Sequence, residues 1–180
     1  MSNKTNWSEK KGGYKNLIAY QLSAIIFDLN VEFCNRYIPK TSRTHDQMVQ
    51  AGRSGKQNIV EGSSSRSLKT NITLTSVARA SFGELLEDYF DFLRTKKLPI
   101  WDKNDTRVLG IRANRTNGTN KTNWSNWTNT PERFANLMIT LISKENYLLD
   151  QLFRSLEKKF VNEGGYSENL LKKRLEKKYG

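Results

Sequence analysis

Residues 71–93 read NITLTSVARASFGELLEDYFDFL, and the fold turns on whether this stretch is a strand or a helix. Its opening, Asn71 to Ser76, alternates and is rich in β-branched side chains, which locally favours a strand. The longer pattern opposes it. Leu74, Ala78, Phe82, Leu85, Tyr89 and Phe92 recur at steps of three and four, a helical period that continues as far as Leu93. Read as a helix, the stretch has a cap in Ser65 or Ser67. Lys96 and Lys97 suit its C-terminal dipole, and Pro99 stops it.

Outward from this helix the same period recurs on the N-terminal side. Between Tyr14 and Tyr37 the residues Ile18, Leu22, Ile25, Leu29 and Phe33 form one face, closed by Pro39. A second helix starts at Ser42 or Thr44, the latter making a capping box with Gln47, and Met48, Gly52, Gly55 and Ile59 share its stripe. Each glycine costs about 1 kcal/mol relative to alanine inside a helix, so close helix approach is expected as the compensation. Gly62 and the serines after it end this helix. On the C-terminal side the period vanishes between Ile100 and Thr130, where Asn114–Thr130 (NRTNGTNKTNWSNWTNT) is almost wholly Asn and Thr. A flexible loop that buries no core is expected there. Thr130 then caps a fourth helix opened by Pro131, with Phe134, Met138, Leu141, Leu148, Leu152, Leu156 and Phe160 as a stripe ended by Gly164 and Gly165. A short amphipathic helix, Ser167 to Lys178, follows.

The expectation is an all-α chain: an antiparallel four-helix bundle with a short C-terminal helical extension and a long polar insert before the last long helix. Its parts are a polar tail (1–13), the first three bundle helices (14–98), the Asn/Thr-rich loop (99–130), the fourth bundle helix (131–164) and a basic extension (165–180).

Composition narrows the function. The 180 residues carry a formal charge of +12, which suits an anionic partner such as nucleic acid or an acidic protein patch. The charge is not a tail or a block. Residues 1–40, 41–70, 101–130 and 131–180 each carry an excess of +3, and only 71–100 is neutral. One cysteine, Cys34, excludes an intramolecular disulfide, and one histidine, His45, excludes a multi-histidine metal centre. No apolar run is long enough to span a bilayer, and Met1 to Lys11 has no apolar core of a signal peptide, so a cytoplasmic location is expected. The nine Asn-x-Ser/Thr sequons are then a by-product of Asn/Thr richness. The hexapeptide NKTNWS at Asn3–Ser8 recurs at Asn120–Ser125.

Three separated blocks carry a family resemblance: YKNLIAYQLS (Tyr14–Ser23), SRTHDQMVQAGRSGKQNIVEGS (Ser42–Ser63) and VARASFGELLEDYFDFL (Val77–Leu93). In order and spacing they resemble the four-helix-bundle proteins encoded in intervening sequences of bacterial 23S ribosomal RNA genes. Pro131–Leu170 further resembles the subgroup with a C-terminal four helix bundle suffix domain. The resemblance implies a bundle, a homo-oligomer that is a pentamer in the better understood relatives, and a basic surface. One branch, the accessory variability protein of diversity-generating retroelements, binds a reverse transcriptase and nucleic acid. The Asn/Thr insert and the C-terminal extension set this chain apart from that short accessory protein.

Candidate nucleic-acid contacts are Arg43, Arg53, Lys56, Arg66 and Lys69 around the second helix, with Lys172, Lys173 and Arg174 in the extension; the alternative for each is a solvated face. Trp124 and Trp127 beside Arg115 and Lys121 could stack unpaired bases, or be incidental to the insert. Gly52 and Gly55, with the acidic Glu87, Asp88 and Asp91, are the candidate oligomer interface. Glu84 shares that acidic run, which lacks the Glu-x-x-His pattern of a bundle metal site. Glu61 is expected to form a structural ion pair and Cys34 to be a small core residue. His45 and Asp46 are adjacent and splayed on a helix, so no oriented catalytic pair is expected. No nucleophile, metal cluster or phosphate loop is visible, and a non-enzymatic chain without cofactor follows as the expectation.

Overall fold

The computed structural model describes residues 13–113 and 121–179. The described residues are helical, with no strand among them. A 3-10 turn at Tyr14–Asn16 leads into α1 (Ile18–Tyr37), followed by α2 (Arg43–Ser64), α3 (Leu68–Thr95), the short α4 (Thr106–Ala113), a 3-10 segment at Lys121–Trp127, α5 (Pro131–Glu163) and α6 (Tyr166–Tyr179). The stretch Asn71–Ser76 is helical: the apolar face of α3 is worth more than local β propensity, because it buries Ala78, Phe82, Leu85, Tyr89, Phe92 and Leu93.

Side-chain oxygens cap α2, α3 and α5. Ser42 accepts from His45 N, so Ser42 and not Thr44 caps α2; Ser67 accepts from Thr70 N, and Thr130 from Arg133 N. The end of α3 is set by its own backbone rather than by Pro99. Leu98 N donates to Leu93 O and Lys97 N to Arg94 O, with Lys97 at φ 55°, a Schellman turn closed by a residue other than glycine.

The core forms where α1, α2, α3 and α5 meet. Side chains bridge successive helices: Asn30 meets Met48, Ser54 meets Ser81, and Arg79 meets Asp150. Phe33 lies at the centre, with the rings of Tyr37, Tyr89, Phe92 and Phe134 within 5.3 Å, three of the four contacts edge-to-face. One buried polar node ties three helices together. Asn30 Nδ2 donates to Met48 O at 2.7 Å, and Tyr89 Oη donates to Asn30 Oδ1 at 2.8 Å.

Gly52 and Gly55 serve this core. A Cβ on Gly52 would stand 3.0 Å from Asn30 Nδ2, and one on Gly55 would stand 2.6 Å from the Phe82 ring. Both glycines are buried inside the chain, so the close approach they permit is between helices of one chain. The expectation that they form an oligomer interface is corrected accordingly.

Three further expectations change. The buried face of α1 is Ala19, Leu22, Ser23, Ile26, Leu29, Asn30, Phe33 and Cys34, while Ile18 is exposed and Ile25 only partly buried. The true stripe includes small and polar residues that a count of apolar side chains passes over. The segment 99–130 is not a coreless loop where it is described: Trp101, Val108, Ile111, Trp124 and Thr128 are all buried, α4 packs on α5, and Trp127 packs on the core. The stripe of α5 is buried only as far as Leu149, because beyond it Leu152, Leu156 and Phe160 are half-covered. The N-terminal tail up to Gly12, the Asn3–Ser8 hexapeptide and Arg115 lie outside the described residues.

Candidate nucleic-acid and partner surfaces

The basic side chains of α2 divide between two faces. Lys56 points toward α1, where its ammonium sits 4.4 Å from the centre of the Phe27 ring, and Arg53, one turn before it, is exposed. Arg43 instead lines the groove between α2 and α3 with Asp46, Ser54, Ser81, Glu84 and Asp88. Arg66 and Lys69 flank the α2–α3 turn and are exposed. Arg43, Arg53, Arg66 and Lys69 enter no ion pair among the described residues, so their charge is available to a partner.

Lys172, Lys173 and Arg174 are exposed but follow one another on α6, so the three spread over about 200° of the helix and do not form one patch. Lys173, Arg174, Lys177 and Lys178 do, at spacing i, i+1, i+4, i+5, with Leu170 within the same face. Helix α6 buries none of its residues and packs extensively against no other helix. Leu170, Leu171, Leu175, Tyr166 and Tyr179 are each 44% or more exposed. Its joint to α5 is nevertheless fixed. Gly164 turns the chain at φ 74°, Glu168 Oε2 accepts from Gly165 N at 2.9 Å, and Asn169 Nδ2 donates to Glu163 O at 3.1 Å.

The acidic residues Glu84, Glu87, Asp88 and Asp91 fall at i, i+3, i+4, i+7 along the outer side of α3. Burial, then Asp91 and Glu84 beside it, push the Asp88 carboxyl above its usual range. Asp91 pairs with Arg94 at 2.8 Å. Glu61 accepts from Gln57 Nε2 at 3.3 Å, so its partner is the amide one turn before it rather than a basic side chain. His45 Nδ1 lies 3.7 Å from Asp46 Oδ1, beyond hydrogen-bond length, and its Nε2 lies 3.2 Å from Asn35 Oδ1 instead.

Trp124 is 3% exposed, so its face is not open to an unpaired base, and the stacking expectation is corrected. Trp127 packs edge-on to Trp101 at 6.0 Å. Trp101 is itself clamped: its backbone N donates to Asn136 Oδ1 and its Nε1 to Glu132 Oε1, both at 2.9 Å, and the Arg107 guanidinium lies 3.9 Å from its ring centre. Arg107 in turn hydrogen-bonds Asp105 and holds that carboxyl down at about 2. The cap of α4 was legible, since the Asp105 carboxylate accepts from Arg107 N as an N-cap does.

Glu145 is fully buried, and neither carboxyl oxygen has a hydrogen-bond partner; the adjacent Asn146 Oδ1 is also unpartnered. Burial alone pushes the Glu145 carboxyl well above its usual range, toward the neutral acid. No group of three or more metal-ligating side chains occurs among the described residues, and no helix among them is long and apolar enough to cross a membrane.

No family model, no curated protein and no solved structure matches the chain.

Proposed function

We propose that this chain is an antiparallel four-helix-bundle protein related to the 23S ribosomal RNA intervening-sequence family, that it self-associates, and that it binds nucleic acid through a basic surface without catalysing a reaction. Asn30–Met48 and Phe27–Lys56 between α1 and α2, and Phe82–Gly55 and Asn71–Gly62 between α3 and α2, climb one helix as they descend the next, which supports the bundle topology. The observation that carries the binding proposal is that Arg53, Arg66 and Lys69 are exposed and enter no ion pair among the described residues, in a chain of net +12. Such cations neutralise phosphates and release counterions, which gives sequence-independent affinity. The family resemblance adds a reverse transcriptase as a candidate protein partner, a pentamer as the candidate assembly and the cytoplasm as the compartment.

Fluorescence anisotropy with a labelled RNA hairpin and a labelled DNA duplex at low salt tests the proposal. The native chain is expected to bind, and the double reversal Arg53→Glu, Lys56→Glu to weaken binding by about tenfold or more. No binding of either probe at low salt rejects nucleic acid as the partner. The second reading, a protein-interaction module that binds no nucleic acid, is favoured by the exposure of Leu171, Leu175 and Tyr179 on α6. It gains if the chain assembles and neither probe binds.

A further inference from the structure

Helix α6 is presented at a fixed joint and unpartnered, with a face of Lys173, Arg174, Lys177 and Lys178 around Leu170. A matching surface is the acidic row of α3, where Glu84 and Asp88 also wall a groove of roughly 650 Å³ against α2. Both surfaces are helical rows with similar axial repeats, one positive and one negative. We propose that α6 of one chain docks along the Glu84–Asp91 row of a second copy, and so builds a head-to-tail assembly. This rests on the proposed self-association and names its interface.

Reach excludes the same chain as the acceptor. The Arg79–Asp150 bond sets residue 150 of α5 level with residue 79 of α3. From there α5 runs about 20 Å further to Glu163, back past the start of α3, at about 1.5 Å per residue. A straight return of α6 would carry Lys177 and Lys178 only about 17 Å along the bundle, whereas Glu84 lies about 27 Å away and Asp91 further still. The row also faces the α2 side of α3, away from α5.

The charge arithmetic favours a second copy over an unrelated partner. Four carboxylates at i, i+3, i+4, i+7 meet four cations at i, i+1, i+4, i+5, the acidic row spanning about two turns and the basic one about one and a half. The repulsion from Asp91 and Glu84 that adds to burial in raising the Asp88 carboxyl would be relieved by those cations. A single helix buries less than the roughly 800 Å² per partner of a standard interface. A head-to-tail contact compensates, because every subunit donates one arm and accepts one, and it closes into a ring when the rotation allows.

A charge swap in the full chain tests this. Variant one reverses the arm (Lys173→Glu, Arg174→Glu, Lys177→Glu, Lys178→Glu), and variant two reverses the row (Glu84→Lys, Glu87→Lys, Asp88→Lys, Asp91→Lys). Mass by light scattering is expected to be a multiple of 20.8 kDa for the native chain and to fall to a single chain for each variant. An equimolar mixture is expected to assemble again, into alternating complexes with an even number of chains, since each variant then offers what the other needs. If the variants keep the native mass, the docking proposal fails while self-association stands; if the native chain is monomeric at all concentrations, both fail. A milder double substitution, Glu87→Cys with Arg174→Cys, covers the case of a reversal that unfolds the chain. Oxidation is expected to link successive chains, and an intact assembly without cross-links overturns the proposal. Cys34 does not interfere, being buried with its thiol pushed up to about 12, chiefly by that burial.

Discussion

Glu145 stands where the stripe of α5 skips a step. Phe134, Met138 and Leu141 are followed by Leu148, and the missing position between them at helical spacing is this carboxyl. Its place on the buried face was therefore legible from the register, but its lack of a partner was not, because partners come from other helices. The sign of its pH effect follows. Below the ordinary carboxylate value of 4.5 both the folded and the unfolded chain hold the proton, and Glu145 costs nothing extra. As pH rises above it, the unfolded chain releases the proton while the folded chain retains it, so stability falls. Glu145→Met is expected to raise stability at pH 7 by about 1–3 kcal/mol in urea unfolding and to flatten the decline above pH 4.5. Equal stability of the two chains at pH 7 would show that the carboxyl has found a partner. Gly55 makes the opposite case. Gly55→Ala gains about 1 kcal/mol of helix propensity, yet its Cβ would lie 2.6 Å from the fully buried Phe82 ring. A net loss of about 1–2 kcal/mol is expected from the same unfolding measurement.

At the scale of elements, the long helices were legible because a period of 3.6 over many residues outweighs local propensity, as Asn71–Ser76 shows. The insert was not legible for the complementary reason. Its composition resembles that of an unfolded chain, and the few residues that anchor it, Trp101, Val108, Ile111 and Trp124, are too sparse to form a period. What holds it is specific: Asn136 and Glu132 of α5 take the two N–H groups of Trp101, and Arg107 covers its ring. Trp101→Ala is expected to cost about 3 kcal/mol and to expose 99–130 to limited proteolysis well before the rest of the chain is cut. Unchanged protection would place the anchor elsewhere in the insert. The candidate cations were legible as exposed residues, but not their division between faces, which depends on where α1 and α3 lie against α2. Arg43 is the clearest example, drawn into a groove with Asp46, Glu84 and Asp88.

For the whole molecule, the charge of +12 is spread along the sequence, and its one neutral window, 71–100, carries the row of four carboxylates on α3. If the arm of a neighbour covers that row, the assembly hides its carboxylates and leaves the cations of α2 and the α2–α3 turn outward, so association and phosphate binding reinforce each other. Nothing in this requires a base-specific contact, and affinity should then follow the ionic atmosphere. The deciding measurement is the affinity of the full chain for a labelled RNA hairpin across a series of salt concentrations. The expected result is a linear fall of log K with log salt, with a slope of several units, at about 0.7–0.9 per phosphate neutralised. A flat dependence, or no binding at the lowest salt, would contradict the proposal that this basic surface is made for nucleic acid.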